Sequence, residues 1–284
     1  MTRIVFFEPH PDDATLSAGL ALTTYLAGGA DVHVVGMSRG SVTPASIKLD
    51  GAAVCGYDGY LHNPSQEQYV VPTQDRIGAA RASEGKSAAG AMSTISPSPG
   101  VVTPGTMTYH EGIDGVGYID DLYGSSGGTA ISGLSCTVEG VAAAKTVIQT
   151  YVENYTNTFF YAMSPTDDHP DHAACGQALR DLKNDTTHGP QLVNARFFVS
   201  KLYWAGVGGV PPYPTDVLAQ PDLSWFNAGT RKADYDALLR SRVIRCFSAW
   251  NPNAGTFAVG YHQVVNQFIN CFGPSATIAN LWHA

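Results

Sequence analysis

The 284-residue chain is short of charge. Asp, Glu, Lys and Arg make up 14% of it, against roughly 25% in an average globular protein, and residues 246–284 contain none of the four. The 16 Lys and Arg form no cluster and are outnumbered by 24 Asp and Glu, giving a net charge of -8. The electrostatic footprint of a DNA or RNA partner is therefore missing. No apolar run approaches the ~20 residues of a membrane helix, and Asn, Gln and His recur through the uncharged tail, which argues against an integral membrane segment. The five cysteines lack CxxC spacing, which disfavours a zinc knuckle, and their odd number leaves at least one thiol unpaired; Cys246 and Cys271 are the pair to test for a disulfide. Low charge favours an extracytoplasmic or secreted protein. Only Met1, Thr2 and Arg3 precede the first strand, so a signal peptide is either absent or was removed, and with Met1 as the true start the compartment is the cytoplasm.

Apolar period and Gly/Pro punctuation organise what is present. A strand over Arg3 to Phe7 leads into a helix over Ala14 to Leu26 that Gly28-Gly29 ends, and Asp31 to Val35 reads as a second strand. Ser41 to Gln74 shows no sustained period and reads as a long functional loop. A helix over Asp75 to Met92, a Ser/Pro/Gly-rich connection through Ile95 to Gly100, a strand within Val101 to His110 and a turn-rich stretch over Gly124 to Gly133 follow. Then come a helix over Val138 to Tyr155, a strand over Phe159 to Met163, a helix over Ala173 to Lys183 and a strand over Ala195 to Trp204. The alternation predicts an α/β fold: one Rossmann-like, doubly wound, mostly parallel sheet with long loops at the C-terminal strand edge. We expect a single domain over residues 1–284, an α/β core over 1–204 with a less regular extension over 205–284 packed on it. Within the extension a helix over Lys232 to Arg245 and a strand-like piece over Thr256 to Tyr261 are legible.

Two motifs sit where strands end and helices begin: His10-Pro11-Asp12-Asp13 and His169-Pro170-Asp171-His172. In open α/β sheets ligands bind beyond the carboxyl ends of the strands, so both lie where chemistry is expected. A single His-Pro-Asp is usually a turn whose Asp caps the next helix. Two in matching contexts favour a metal site. His10 and Asp13, three apart across a turn, and His172 from a second strand make three N/O ligands, the composition of a catalytic zinc site, with other divalent metals open. Asp12 is placed to take a proton from the attacking water, His169 to stabilise or protonate the developing oxyanion or leaving group, and Asp171 to orient His169. His33, His62, His110, His188, His262 and His283 read by default as surface or core histidines, with His110, beside Glu111 in a loop, the least secure.

On these motifs the chain resembles the PIG-L/LmbE family of metal-dependent N-acetylglucosaminyl deacetylases, from the first strand to about Leu182. Ser38-Arg39-Gly40 is similar to the family's loop after the second strand, and Arg81-Ala82-Ser83-Glu84 to its Arg-x-x-Glu helix. The resemblance implies zinc on His10, Asp13 and His172, Asp12 as general base, His169 as electrophilic and acid partner, and substrate contacts from Arg81 and from Asp120 or Asp121; Ser38 and His110 are further candidate substrate contacts. Ala14 stands where the family commonly has an acidic residue, and the loops over Ser41 to Gln74 and Ser93 to Gly133 differ from those of compact members. The implied substrate is an N-acetylated amino-sugar glycoconjugate. Long loops and aromatic residues such as Tyr60, Tyr69 and Trp204 suit a bulky acceptor, and the deacetylases of teicoplanin-type glycopeptide antibiotics are the branch it looks similar to. Thiol precursors, chitooligosaccharides, phosphatidylinositol glycans and an amidase on the same fold are the alternatives.

Four other readings compete. Gly36-Met37-Ser38-Arg39-Gly40 fits G-x-S-x-G, but Pro44 and Gly51 leave no helix directly after the serine. The first strand-helix turn lacks G-x-G-x-x-G, which disfavours a dinucleotide. A non-catalytic carbohydrate-binding module, or a chain with a purely structural metal, would not require the proton-transfer groups Asp12 and His169.

Overall fold

The computed structural model describes residues 2–55, 59–97, 100–101, 103–113, 117–119, 128–198 and 237–263. Strands β1 (Arg3–Glu8), β2 (Asp31–Gly36), β3 (Met107–Glu111), β4 (Thr158–Met163) and β5 (Arg196–Phe198) form one sheet in the order β3-β2-β1-β4-β5, and every pair is parallel. The helices are α1 (Asp13–Ala27), a short α2 (Ala45–Leu49), α3 (Gln74–Met92), α4 (Val138–Asn154) and α5 (Pro170–Lys183).

The side-chain period of two divides the core. Ile4 and Phe6 of β1 pack with α1 and α3 on one face, while Val5 and Phe7 pack with α4 and α5 on the other. β1 is buried on both faces, as a central parallel strand should be. Phe6 and Phe7 are fully buried, and truncating either to Ala costs about 3–5 kcal/mol. From β1 the chain winds outward through β2 and β3, then returns to β4 on the other side. The switch point therefore lies between β1 and β4, with the crevice beyond their carboxyl ends.

The predicted elements are present with small shifts at their ends. Gly28 caps α1, and Thr73 and Thr137 accept from backbone N–H groups at the starts of α3 and α4. The third strand is shorter than expected, and among the described residues of the long loop after β2 only α2 forms. β5 begins as expected, but the rest of Ala195 to Trp204 beyond Phe198 and residues 124–127 of the turn-rich stretch lie outside the described residues.

The C-terminal segment differs more. Leu239–Val243 is a π-helix and Ile244–Ser248 a 3₁₀-helix, where an α-helix was expected. Leu238 and Val243 are both buried against α1 and α3, and five residues fall on one face only when the turn is widened. The expected strand from Thr256 stops at Phe257. Ala258 turns left-handed (φ 47°), and a helical turn over 259–263 begins with its Val259 and Gly260 N–H groups held by Glu84 of α3, at 2.7 and 2.9 Å. Cys246 is a free thiol, hydrogen-bonded to the Arg242 carbonyl, and Cys271, the partner to test for a disulfide, lies outside the described residues. Among the described residues no helix is long and apolar enough to cross a membrane.

Candidate active site

The turn from β1 into α1 is built so that its aspartates are not used as caps. Asp12 occupies the N-cap position, yet its side chain makes no capping hydrogen bond. Glu8, at the end of β1, accepts the Ala14 N–H instead (3.0 Å). Its carboxyl is pushed up to about 8 by burial, so it performs this task without adding a full negative charge at neutral pH. Asp12 is thereby released to meet Arg81 of α3: its Oδ1 accepts from Nη2 at 2.7 Å, and both groups are almost fully buried. Gly40 (φ 56°) makes this possible, because a Cβ there would fall 1.9 Å from Arg81 Nη1.

His10, Asp13 and His172 converge. Asp13 Oδ2 lies 3.2 Å from His10 Nδ1 and 3.2 Å from His172 Nε2, and all three residues are buried. Carboxylates stand behind both imidazoles. Asp171 Oδ2 accepts from His10 Nε2 at 2.8 Å, which places a proton on Nε2 and turns Nδ1 toward Asp13. Asp167 Oδ2 lies 3.3 Å from His172 Nδ1, near enough for charge pairing though not aligned as a hydrogen bond. Burial would lower the pKa of both imidazoles, but Asp13 and Asp171 raise that of His10, and Asp13 and Asp167 raise that of His172 well above its usual value. Burial would raise Asp13, yet the two histidines hold it well below the carboxylate range. The pocket demands positive charge.

A divalent ion fits that demand. With bonds of 2.0–2.1 Å to nitrogen and oxygen, the edge of a tetrahedron is about 3.3 Å, close to both 3.2 Å separations around Asp13. His169 caps α5, its Nδ1 accepting from the Asp171 N–H, so its proton is on Nε2. Its ring centroid lies 4.7 Å from that of His10 and 4.6 Å from that of His172. Burial, then the neighbouring His10 and His172, push it down to about 4, so at neutral pH the ring is a neutral N–H donor. Asp171, expected behind His169 on the basis of sequence adjacency, directs its carboxylate to His10, because its backbone N–H is what serves the cap.

Residues 5–183, which contain both motifs, match the family model described as "PIG-L: GlcNAc-PI de-N-acetylase". The chain belongs to the PIG-L family. No curated protein matches the sequence. Among solved structures the PIG-L chain is similar to the A40926 pseudoaglycone deacetylase Dbv21, with 16% identity over 97% of this chain and 86% of that one and a TM-score of 0.51. It is also similar to a zinc-inhibited form of the teicoplanin deacetylase Orf2 (16% identity, 89% and 88% covered, TM-score 0.47). The N,N'-diacetylchitobiose deacetylase of Pyrococcus horikoshii gives 14% identity and a TM-score of 0.36; 66% of this chain is covered, and the match spans about half (51%) of the other chain. The Dbv21 likeness shows the shared fold.

The other anticipated residues of this PIG-L chain divide. Arg81 belongs to the site, but through Asp12 and the Gly40 carbonyl (3.1 Å). Ser38 is buried, donates to the Pro9 carbonyl (3.0 Å) and accepts from the Gly40 N–H (3.2 Å), tying the loop after β2 to the first motif. No helix directly follows it, which removes the nucleophile-elbow reading. His110 is not brought to the cluster: it lies on β3, 2.8 Å from His33 and against Tyr151 of α4. Asp120 and Asp121 lie outside the described residues, as does His283. Sequence reasoning missed Asp167 and Glu8. The acidic pair Asp167-Asp168 just before the second motif was the available signal, but a supporting carboxylate has no fixed spacing. His62 and His262, assigned no role, lie together with Cys55.

Proposed function

We propose that this PIG-L protein is a zinc-dependent hydrolase that removes the acetyl group from an N-acetylglucosamine unit of a glycoconjugate. The observation that carries the reading is the placement of His10 Nδ1 and His172 Nε2, each 3.2 Å from Asp13 Oδ2, one residue from an Asp12 that is not spent on capping. When bound to His10, Asp13 and His172, zinc supplies Lewis acidity, which lowers the pKa of water toward neutrality and polarises an amide carbonyl. Asp12 takes the proton of the attacking water, and Arg81 holds the carboxylate in position through Oδ1. The Nε2–H of His169 donates to the carbonyl oxygen as it becomes an oxyanion. Asp12 then returns its proton to the departing nitrogen, so the products are acetate and a free amine. Asp171 and Asp167 keep the two ligating imidazoles in register.

A cleft of about 550 Å³ between α3, the loop after β2 and the end of β3 is lined by Arg39, Ser83, Lys86, Glu111 and Tyr118 among others. Its mixture of charge, hydroxyl and one aromatic face suits a sugar-bearing acceptor, and its size admits a group larger than a monosaccharide. We place the acceptor there and put teicoplanin-type glycopeptide pseudoaglycones first in order of test. The test is acetate release from a panel of N-acetylglucosaminides, spanning glycopeptide pseudoaglycones, chitooligosaccharides, thiol precursors and phosphatidylinositol glycans, with and without a chelator. We expect release from at least one class that stops on chelation and returns with zinc. Release that persists after complete metal removal overturns the mechanism, and sugar binding with no release from any class favours the binding-module alternative.

A further inference from the structure

Among the described residues two histidine pairs lie away from the active site, and their hydrogen-bond partners separate them. In the first, His33 Nε2 faces Asp31 Oδ2 at 3.1 Å and His33 Nδ1 faces His110 Nε2 at 2.8 Å. Neutral tautomers satisfy it, because His33 gives its one proton to Asp31 and accepts the Nε2–H of His110. In the second, His62 Nδ1 faces the Glu67 carboxylate at 3.0 Å and His262 Nδ1 faces the Ala258 carbonyl at 2.8 Å. Both partners are acceptors only, so both Nδ1 atoms carry a proton, and as neutral rings both Nε2 atoms present lone pairs. Those two lone pairs face each other at 2.9 Å. A proton on one ring or a metal ion shared by both satisfies the pair.

Cys55 lies at the same point. The potential ligand atoms of Cys55, His62 and His262 all lie within 4.8 Å of one another, and all three residues are buried. Trp250 stacks on His62, with ring centroids 5.1 Å apart, and sits 5.5 Å from the His262 ring, giving the cluster an aromatic wall. We propose that Cys55, His62 and His262 bind a second transition-metal ion, one that staples the loop after β2 to the C-terminal segment. One thiolate and two imidazoles are a donor set for zinc. The thiol gives up its proton when the ion binds, the remaining coordination position falls to a water, and Glu67 orients His62 as a carboxylate behind a ligand.

The location gives the ion a structural role. His62 and His262 are 200 residues apart in sequence, and the backbone beside His262 is already docked on α3 through Glu84. Phe257 and Val259 also pack with Ala45, Leu49, Ile77 and Ala80. The ion closes this contact at its outer end, and its binding does not depend on the deacetylase reading.

Asp13→Ala, which disables the active-site ligands, isolates the question. Loaded with zinc and dialysed, the full-length Asp13→Ala protein is expected to keep about one ion per chain, and adding Cys55→Ser is expected to remove it. Loaded with cobalt(II), Asp13→Ala should show a thiolate-to-metal charge-transfer band, which an N/O site cannot give. Glu67→Gln, at an exposed position, should weaken zinc affinity by about 10–100-fold without unfolding the chain, which covers the case in which Cys55→Ser fails to fold. An Asp13→Ala protein that holds no stoichiometric metal, or a cobalt spectrum without the sulfur band, overturns the proposal.

Discussion

Two buried histidine clusters lean on the same helix, α3, and differ in what surrounds the ligands. Around His10 and His172 stand four aspartates: Asp13 between the imidazoles, Asp171 and Asp167 behind them, and Asp12 held by Arg81. Around His62 and His262 stand a thiol, a backbone carbonyl, one exposed glutamate and a tryptophan. In the proposed mechanism the first cluster has an acceptor for a proton in Asp12 and, in His169, a donor for an oxyanion. At the second, the carboxylate of Glu67 is engaged by His62 Nδ1. Concentrating histidine makes a place for an ion; reactivity comes from the groups that are not ligands.

Mutations can break this contrast, and the largest effect belongs to Asp13. Asp13→Ala removes the carboxylate that faces both imidazoles, so we expect turnover to fall to the uncatalysed background and the ion to leave the first site, as read by acetate release and metal analysis. Asp12→Asn should keep the metal and lower kcat by about 10²–10⁴-fold; a variant that lost metal and turnover together would show that Asp12 is a ligand. Asp171→Asn should weaken metal affinity by about 10–100-fold through His10, measurable by chelator competition, with a smaller fall in kcat at saturating zinc.

At the second cluster the expected pattern inverts. Cys55→Ser should leave kcat close to wild type at low temperature while lowering the thermal midpoint, and a matching loss of kcat would merge the two clusters into one functional unit.

The smallest effect concerns the pair that needs no ion. Burial would raise the Asp31 carboxyl, but hydrogen bonds from His33, Thr106 and Arg3 outweigh it and bring it down to about 2 from 3.8. Its contribution to stability is therefore present above the unfolded value and lost as pH falls from about 4 to about 2. His33, lowered by burial against the opposing pull of Asp31, has the same sign, because neutral imidazole is favoured in the fold. Urea midpoints measured across that range should fall less steeply in Asp31→Asn than in the parent; parallel curves would remove the pair from the acid limb.

Most of the sheet and its helices were legible because β1, β2 and β4 are apolar runs and α1, α3 and α5 are bounded by Gly28, Thr73 and Pro170. The three proposed ligands and Asp12 were legible for a related reason: a strand end followed by a helix start places neighbouring residues in one crevice, whatever the rest of the chain does. The Leu239–Val243 π-helix was not legible, because the widened turn answers to the buried faces of Leu238 and Val243. Nor was the helical turn at Val259, whose N–H is held by Glu84 from 175 residues away.

By itself, then, the sequence determined the order of strands and helices and the two motifs at their junctions, since both follow from local period, turn chemistry and capping residues. The tertiary structure alone decided how each polar atom is used. Asp12 is free because Glu8 caps α1, Asp171 serves His10 rather than His169, and His62 meets Cys55 and His262. Those choices depend on distances between residues far apart in the chain, and only packing fixes such distances.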